Sequence, residues 1–192
     1  DLLTLLEEID IPWRAYATLP DLELQDIERL ATSGCMALFC GIDAVTKVSK
    51  KTLRKNFCAD MDSMIMRLAY CLECGIQPTS ALLVDPPFPS SAHTETVLQL
   101  ALKLRLLGCA VRLNTLSIYN GTKISTQTTS LHYDSTKVRL LFDSASVLWE
   151  NHFAKSRPEL FPFHATHLPE GMLLPFAELL HIAHTIIMYA PE

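Results

Sequence analysis

Leu30–Phe57, LATSGCMALFCGIDAVTKVSKKTLRKNF, is the stretch on which the reading of this chain turns. It holds the end of a helix, a Ser33-Gly34-Cys35 turn, an apolar strand from Met36 to Cys40, and a polar exit at Gly41-Ile42-Asp43. A basic helical segment follows. A helix, a glycine stop, a buried strand and a polar strand exit together make one repeat of a βα sheet or barrel. In such folds the residues just past the C-terminal end of a strand carry the chemistry. Asp43 occupies that place.

Outward from this repeat the same grammar recurs. Upstream, Leu2, Leu3, Leu5 and Leu6 suit the end of an amphipathic helix, and Trp13–Ala17 has the aromatic and small apolar content of a strand. Asp21 is placed to cap a helix whose apolar residues fall at 24, 27, 30 and 31. Downstream, Asp60 opens a helix with Met61, Met64, Ile65, Leu68 and Leu72 on one stripe, a pattern of core packing rather than of cofactor binding. Gly75 stops it, and 78–84 reads as the next strand, ending at Asp85. Asp85-Pro86-Pro87-Phe88-Pro89 is a stiff loop, because its prolines remove the donors that a helix or central strand needs. A helix over 92–107, Gly108, a strand over 110–118 and an exit turn at Tyr119-Asn120-Gly121-Thr122 complete the series.

Strands that alternate with helices at intervals of about 25 to 40 residues imply parallel pairing in a sheet or barrel. The expected fold is therefore α/β: a partial (βα) TIM-type barrel of about four parallel βα units over 1–124. A mainly helical C-terminal extension over 125–192 opens with a polar linker at 125–130. Four parallel strands alone would leave unpaired edges and half-covered faces, so further strands are expected upstream of Asp1, and the isolated piece is expected to be marginally stable.

Composition narrows the class. Of 192 residues, 49% are hydrophobic and 19% charged, a globular balance, and the net charge of −5 gives no reason to expect a nucleic-acid partner. Apolar runs are broken before about 18 residues, so no membrane span is expected. The six cysteines follow no secreted framework, which points to a reducing compartment and a cytoplasmic location. Cys71-Leu-Glu-Cys74 is a CxxC late in a helix without a second pair, and so reads as core or helix-surface thiols more readily than as a metal site. The basic run Lys47–Lys55 is a solvated helix face or an anion contact. His164/His167 and His181/His184 have pair spacing, but no acidic or Cys partner completes a metal motif.

The organising stretch resembles strand four of the radical S-adenosylmethionine enzymes, in the cobalamin-linked and methylthiotransferase-like branch, where Gly-Cys, an apolar strand and Gly-Ile-Glu-Ser precede a basic helix. Here the residues are Gly34-Cys35 and Gly41-Ile42-Asp43-Ala44, with a carboxylate kept and a hydroxyl dropped. The exit Ile118-Tyr119-Asn120-Gly121-Thr122 resembles the family's strand-six turn. The strand-five loop departs from it: Asp85-Pro86-Pro87 stands where the family has glycines, and His93-Thr94-Glu95-Thr96 follows. On this alignment the chain covers barrel units three to six, about residues 9–124. The PELF segment near Pro158 is similar to extensions that follow such cores.

The resemblance implies a [4Fe–4S] cluster that binds S-adenosylmethionine and reduces it to a 5′-deoxyadenosyl radical. It also implies a reductant such as flavodoxin or ferredoxin, a small-molecule or peptide substrate, and cobalamin through an upstream domain. The cluster's C-x3-C-x2-C triplet is absent from this sequence and is expected upstream, so this piece alone is expected to be inactive. Gly41, Asp43 and Arg14 are the expected cofactor contacts, with Asp85, Tyr119 and Asn120 at the mouth for substrate. Asp43 has a second reading as a helix cap, Arg14 as a structural ion-pair partner, and Tyr119 and Asn120 as turn formers. Two other classes stay open: a degenerate barrel that only binds, and an unrelated βα-barrel enzyme without iron.

Overall fold

Asp1 caps the first helix, its carboxylate accepting from the Thr4 N–H and from the Thr4 hydroxyl, both at 3.0 Å. That helix is α1 (Leu2–Ile9), and a left-handed Asp10 ends it. β1 (Trp13–Ala17) follows, then a short 3-10 turn, α2 (Leu24–Thr32), β2 (Cys35–Gly41), α3 (Met61–Glu73), β3 (Gln77–Leu83), α4 (Ser91–Leu106) and β4 (Ala110–Asn114). This computed structural model describes residues 1–46, 50, 61–84, 91–119, 121–122, 132–133, 156–157, 160, 165–166 and 185. The predicted Asp60 cap, most of the basic run, Asp85, Asn120, the paired histidines and the C-terminal helices lie outside them.

The chain divides into two compact units. One comprises Asp1–Pro86, Ser90–Asn114 and Ala190–Glu192, the other Pro87–Pro89 and Thr115–Tyr189. In the second, β5 (His132–Tyr133) pairs antiparallel with β6 (Ala165–Thr166). The first unit holds one parallel sheet in the order β1-β2-β3-β4. Crossovers between parallel strands are right-handed as a rule, and with each strand added on the same side that rule sets the connecting helices on one face of the sheet. α2 packs on β2, α3 on β3, and α4 on β3 and β4. The architecture is α/β, a partial βα barrel.

The strand pattern follows from that one-sided cover. In-register neighbours share a face, so Leu38–Pro78, Cys40–Ser80–Val111 and Leu82–Leu113 form the helix side. Leu38, Cys40, Ser80 and Leu82 are all buried there. α3 meets this side with Met64, Leu68 and Cys71, the predicted core stripe. At the start of β2 the pairing jumps from Trp13–Cys35 to Arg14–Ala37. Met36 is thus the extra, exposed residue of a bulge. Gly34 makes the entry turn at φ 89°, and a Cβ there would stand 3.2 Å from the Ile11 carbonyl oxygen. The Trp13 indole N–H donates to the Ser33 carbonyl at 2.7 Å, fixing β1 beside that turn.

Two boundaries differ from the sequence expectation. Asp21 closes the 3-10 turn Leu19–Asp21, and Glu23 caps α2 instead, in a reciprocal box with Asp26. β4 stops at Asn114 rather than at 118, because its partner β3 runs out: Leu83–Asn114 is the last registered pair. The sequence marks the same point, since the apolar alternation Val111, Leu113 slips phase to Leu116, Ile118.

Candidate functional site

The face of the sheet opposite the helices carries a different set of side chains. Reading along it from the N-terminal ends of the strands, the first row is Arg14–Ala37–Gln77 and the second Tyr16–Phe39–Thr79–Ala110. Gly41–Ala81–Arg112 is the third, and Leu83–Asn114 opens the fourth. Such rows are the layers that line the inside of a closed βα barrel. Tyr16 is 84% exposed, and its ring lies 5.0 Å from that of Phe39 at 57°. The Arg112 guanidinium reaches over Phe39 from the other side, 5.7 Å from the ring centroid. Small residues make that reach possible, since only Ala81 and Thr79 stand between. A guanidinium held over a ring by cation–π attraction still has N–H groups to offer a carboxylate or phosphate.

Asp43 lies just past β2, half-buried, with φ 36°. The Ile42 and Asp43 N–H groups both donate to the Ala81 carbonyl, at 2.9 and 3.2 Å, and the Ala44 N–H folds back onto the Ile42 carbonyl. This tight turn brings the carboxylate over Gly41: a Cβ on Gly41 would stand 3.4 Å from Asp43 Oδ2. Gly41 shares its row with Arg112, two strands and about 10 Å away. The sequence left Asp43 divided between a ligand role and a helix cap. The Lys50 N–H donates to the Thr46 carbonyl at 2.9 Å, and residues 47–49, which would form the first turn of a helix capped by Asp43, lie outside the described residues.

The other expected site residues are placed as follows. Gly41 and Asp43 are together at the strand exit. Arg14 is in the first row, level with Ala37, and four residues of β2 or about 13 Å separate that level from Gly41. It is exposed on the same face, but at the opposite end from Asp43. Tyr119 belongs to the second unit, half exposed, its carbonyl accepting from the Thr122 hydroxyl at 2.8 Å and from the Thr122 N–H at 3.3 Å. Asp85 and Asn120 are outside the described residues. Glu95, the candidate for the strand-five glutamate, is exposed on α4 and accepts from Gln99 at 3.1 Å. Sequence reasoning passed over Arg112, Phe39 and Tyr16. Their alternation with buried residues was visible, but the register that stacks them was not.

The cysteines lie elsewhere. Cys35, Cys40, Cys71 and Cys109 are buried free thiols, and Cys74 is half-buried. Burial pushes Cys40 up to about 12 and Cys71 and Cys109 up to about 11, with mutual repulsion adding to the first two. Thiols so protonated are poor metal ligands. Among the described residues no group of three His, Cys, Asp or Glu side chains could hold a metal ion. These residues therefore do not fit an iron–sulfur cluster. The sheet face opposite the described helices instead gathers a carboxylate beside a row floored by glycine and alanine, an exposed guanidinium and two aromatic rings.

A search of solved structures finds a likeness to the radical S-adenosylmethionine methyltransferase TsrM from Kitasatospora setae, solved with cobalamin and a [4Fe–4S] cluster bound. The TM-score is 0.58 at 14% identity, over 70% of this chain and 30% of that one. The likeness is one of fold. This chain thus spans less than a third of the neighbour's length. No family model matches the chain, and no curated protein matches it by sequence. No helix among the described residues is long and apolar enough to cross a membrane.

Proposed function

We propose that this chain is the later part of a radical S-adenosylmethionine enzyme and that the sheet face opposite its described helices forms part of the bed for that cofactor. The carrying observation is the third row with its cap: Asp43 over Gly41, and Arg112 on the same row, its guanidinium over the Phe39 ring. Asp43 would accept from the cofactor's ammonium or ribose hydroxyls, as a carboxylate does for either. Arg112 would take the carboxylate, the role first expected of Arg14, and Phe39 and Tyr16 would offer faces to the adenine. When bound and reduced, S-adenosylmethionine supplies hydrogen-atom abstraction; the residues here bind and orient it. Cluster, reductant and any cobalamin belong to sequence outside these residues, and the substrate, small molecule or peptide, to the loops at the strand exits.

The test is iron, acid-labile sulfide and 5′-deoxyadenosine formation on the natural full-length protein, purified without oxygen. About four irons per chain and deoxyadenosine formed under reduction are expected. Arg112→Met should then lower deoxyadenosine formation with the iron content unchanged. Absence of iron after anaerobic reconstitution overturns the enzyme reading and leaves a binding barrel.

A further inference from the structure

His93 lies in the stretch that departs most from the family pattern, so the resemblance assigns it nothing. It is only 4% exposed, at the start of α4, and its ring bridges two elements. Nε2 is 3.4 Å from the Leu83 carbonyl oxygen at the end of β3. Nδ1 is 3.2 Å from Thr46 Oγ1 in the turn that carries Asp43. A carbonyl only accepts, so Nε2 holds the proton, and Nδ1 accepts from the Thr46 hydroxyl. The rigid neutral ring therefore serves as donor to β3 on one side and acceptor from the turn on the other. At the turn's other end, Ile42 and Asp43 are already bonded to Ala81 of the same strand. The segment 42–46 is thus tied to β3 at both ends, by main chain at Ala81 and by His93 at Leu83.

We propose that His93 is a positioning residue: by fixing Thr46 to the end of β3 it holds the Asp43 turn in the conformation that receives a ligand. This rests on the proposed role of Asp43 in binding S-adenosylmethionine. Removing the ring risks collapse of a buried site, so Thr46 provides the cleaner perturbation. Thr46→Val removes the hydroxyl and keeps the shape, and Thr46→Ser restores the hydroxyl.

The experiment uses the full-length protein under anaerobic conditions. It measures S-adenosylmethionine affinity by calorimetry and amide hydrogen exchange over 42–46, for wild type, T46V, T46S, H93Q and, as control, D43N. Loss of one neutral hydrogen bond predicts about two- to tenfold weaker binding in T46V, with faster exchange at Asp43 and Ala44, and near wild-type behaviour in T46S. H93Q, which keeps a donor for Leu83 but not the acceptor for Thr46, should resemble T46V. If D43N weakens binding while T46V and H93Q match wild type in both readouts, the positioning role is overturned and the cofactor reading survives. If even wild type does not bind, the cofactor reading falls and exchange alone decides. Faster exchange in T46V but not T46S then supports the clamp, and equal exchange in all variants overturns it.

Discussion

Asp43 carries both a strained backbone and the charge assigned to binding, and substitution separates the two. At φ 36° it sits in the left-handed region, which costs an L-residue roughly 1–2 kcal/mol, less for Asp than for most. Asp43→Gly relieves that strain but adds about 0.5–1 kcal/mol of unfolded-state entropy. The net expectation is a stability gain of about 0.5 kcal/mol, in a range of roughly 0 to 1. Asp43→Asn keeps the shape and the tolerance of positive φ, so stability should stay within about 0.5 kcal/mol of wild type. Binding should move the other way. A charge-assisted hydrogen bond contributes about 1.5–3 kcal/mol, so Asn and Gly should both weaken S-adenosylmethionine binding by about 10- to 150-fold. Urea unfolding and calorimetry on the full-length protein give the two quantities. A Gly variant that is more stable yet binds poorly is the expected signature. Wild-type affinity in D43N would refute the assignment of charge, and a Gly variant destabilised by more than about 1 kcal/mol would refute the strain.

Three further outcomes are expected. Ser80 is buried with no hydrogen-bond partner for its hydroxyl among the described residues, so Ser80→Ala should stabilise by about 1 kcal/mol, read as a higher urea midpoint. Burial lowers the His93 pKa below its ordinary 6.5, only partly offset by the Leu83 carbonyl. Above about pH 6.5 the ring is neutral folded or unfolded and its bonds contribute in full; as pH falls, the unfolded chain protonates first and stability is lost until the folded ring also titrates. The urea midpoint should therefore drop more steeply between pH 7 and 5 in wild type than in H93Q. Among the described cysteines, Cys74 should react first with a thiol reagent at pH 8. Cys40, Cys71 and Cys109, with pKa values of about 11 to 12, are no more than about 0.1% thiolate there and should react only on unfolding.

Much of the fold was legible because it is local. The apolar runs at 13–17 and 36–40, the stripe through Met64 and Leu68, and the stops at Gly34, Gly75 and Gly108 each depend on residues within a few positions of one another. All three of those glycines have positive φ. Failures came where a neighbour decides. The end of β4 depends on where β3 ends, and the cap of α2 on a reciprocal bond between Glu23 and Asp26 that competes with a plausible Asp21. The place of Asp43 just past β2 was legible, because a polar residue after an apolar strand is a signal in one dimension. Arg14 shows the limit: an arginine in a strand is visible, but its level along the sheet is not, and the register sets it in the first row.

Arg112 is the converse case. Nothing within β4 marks it, since Val-Arg-Leu is ordinary alternation. Its meaning comes from two facts of assembly. The helices pack on one face, so the strands set buried Leu38, Cys40, Ser80 and Leu82 on that side and exposed Arg14, Tyr16 and Arg112 on the other. Parallel register then brings Gly41, Ala81 and Arg112 into one row, where two small residues let the long one lie over Phe39. A bulkier residue at 81 should lift the guanidinium off the ring while leaving the helix-side core untouched. The face that meets the helices and the face that carries Arg14, Tyr16 and Arg112 are thus set by the two-residue period of the strands, and Arg112 reaches Phe39 only where small residues in the middle strands leave room for it.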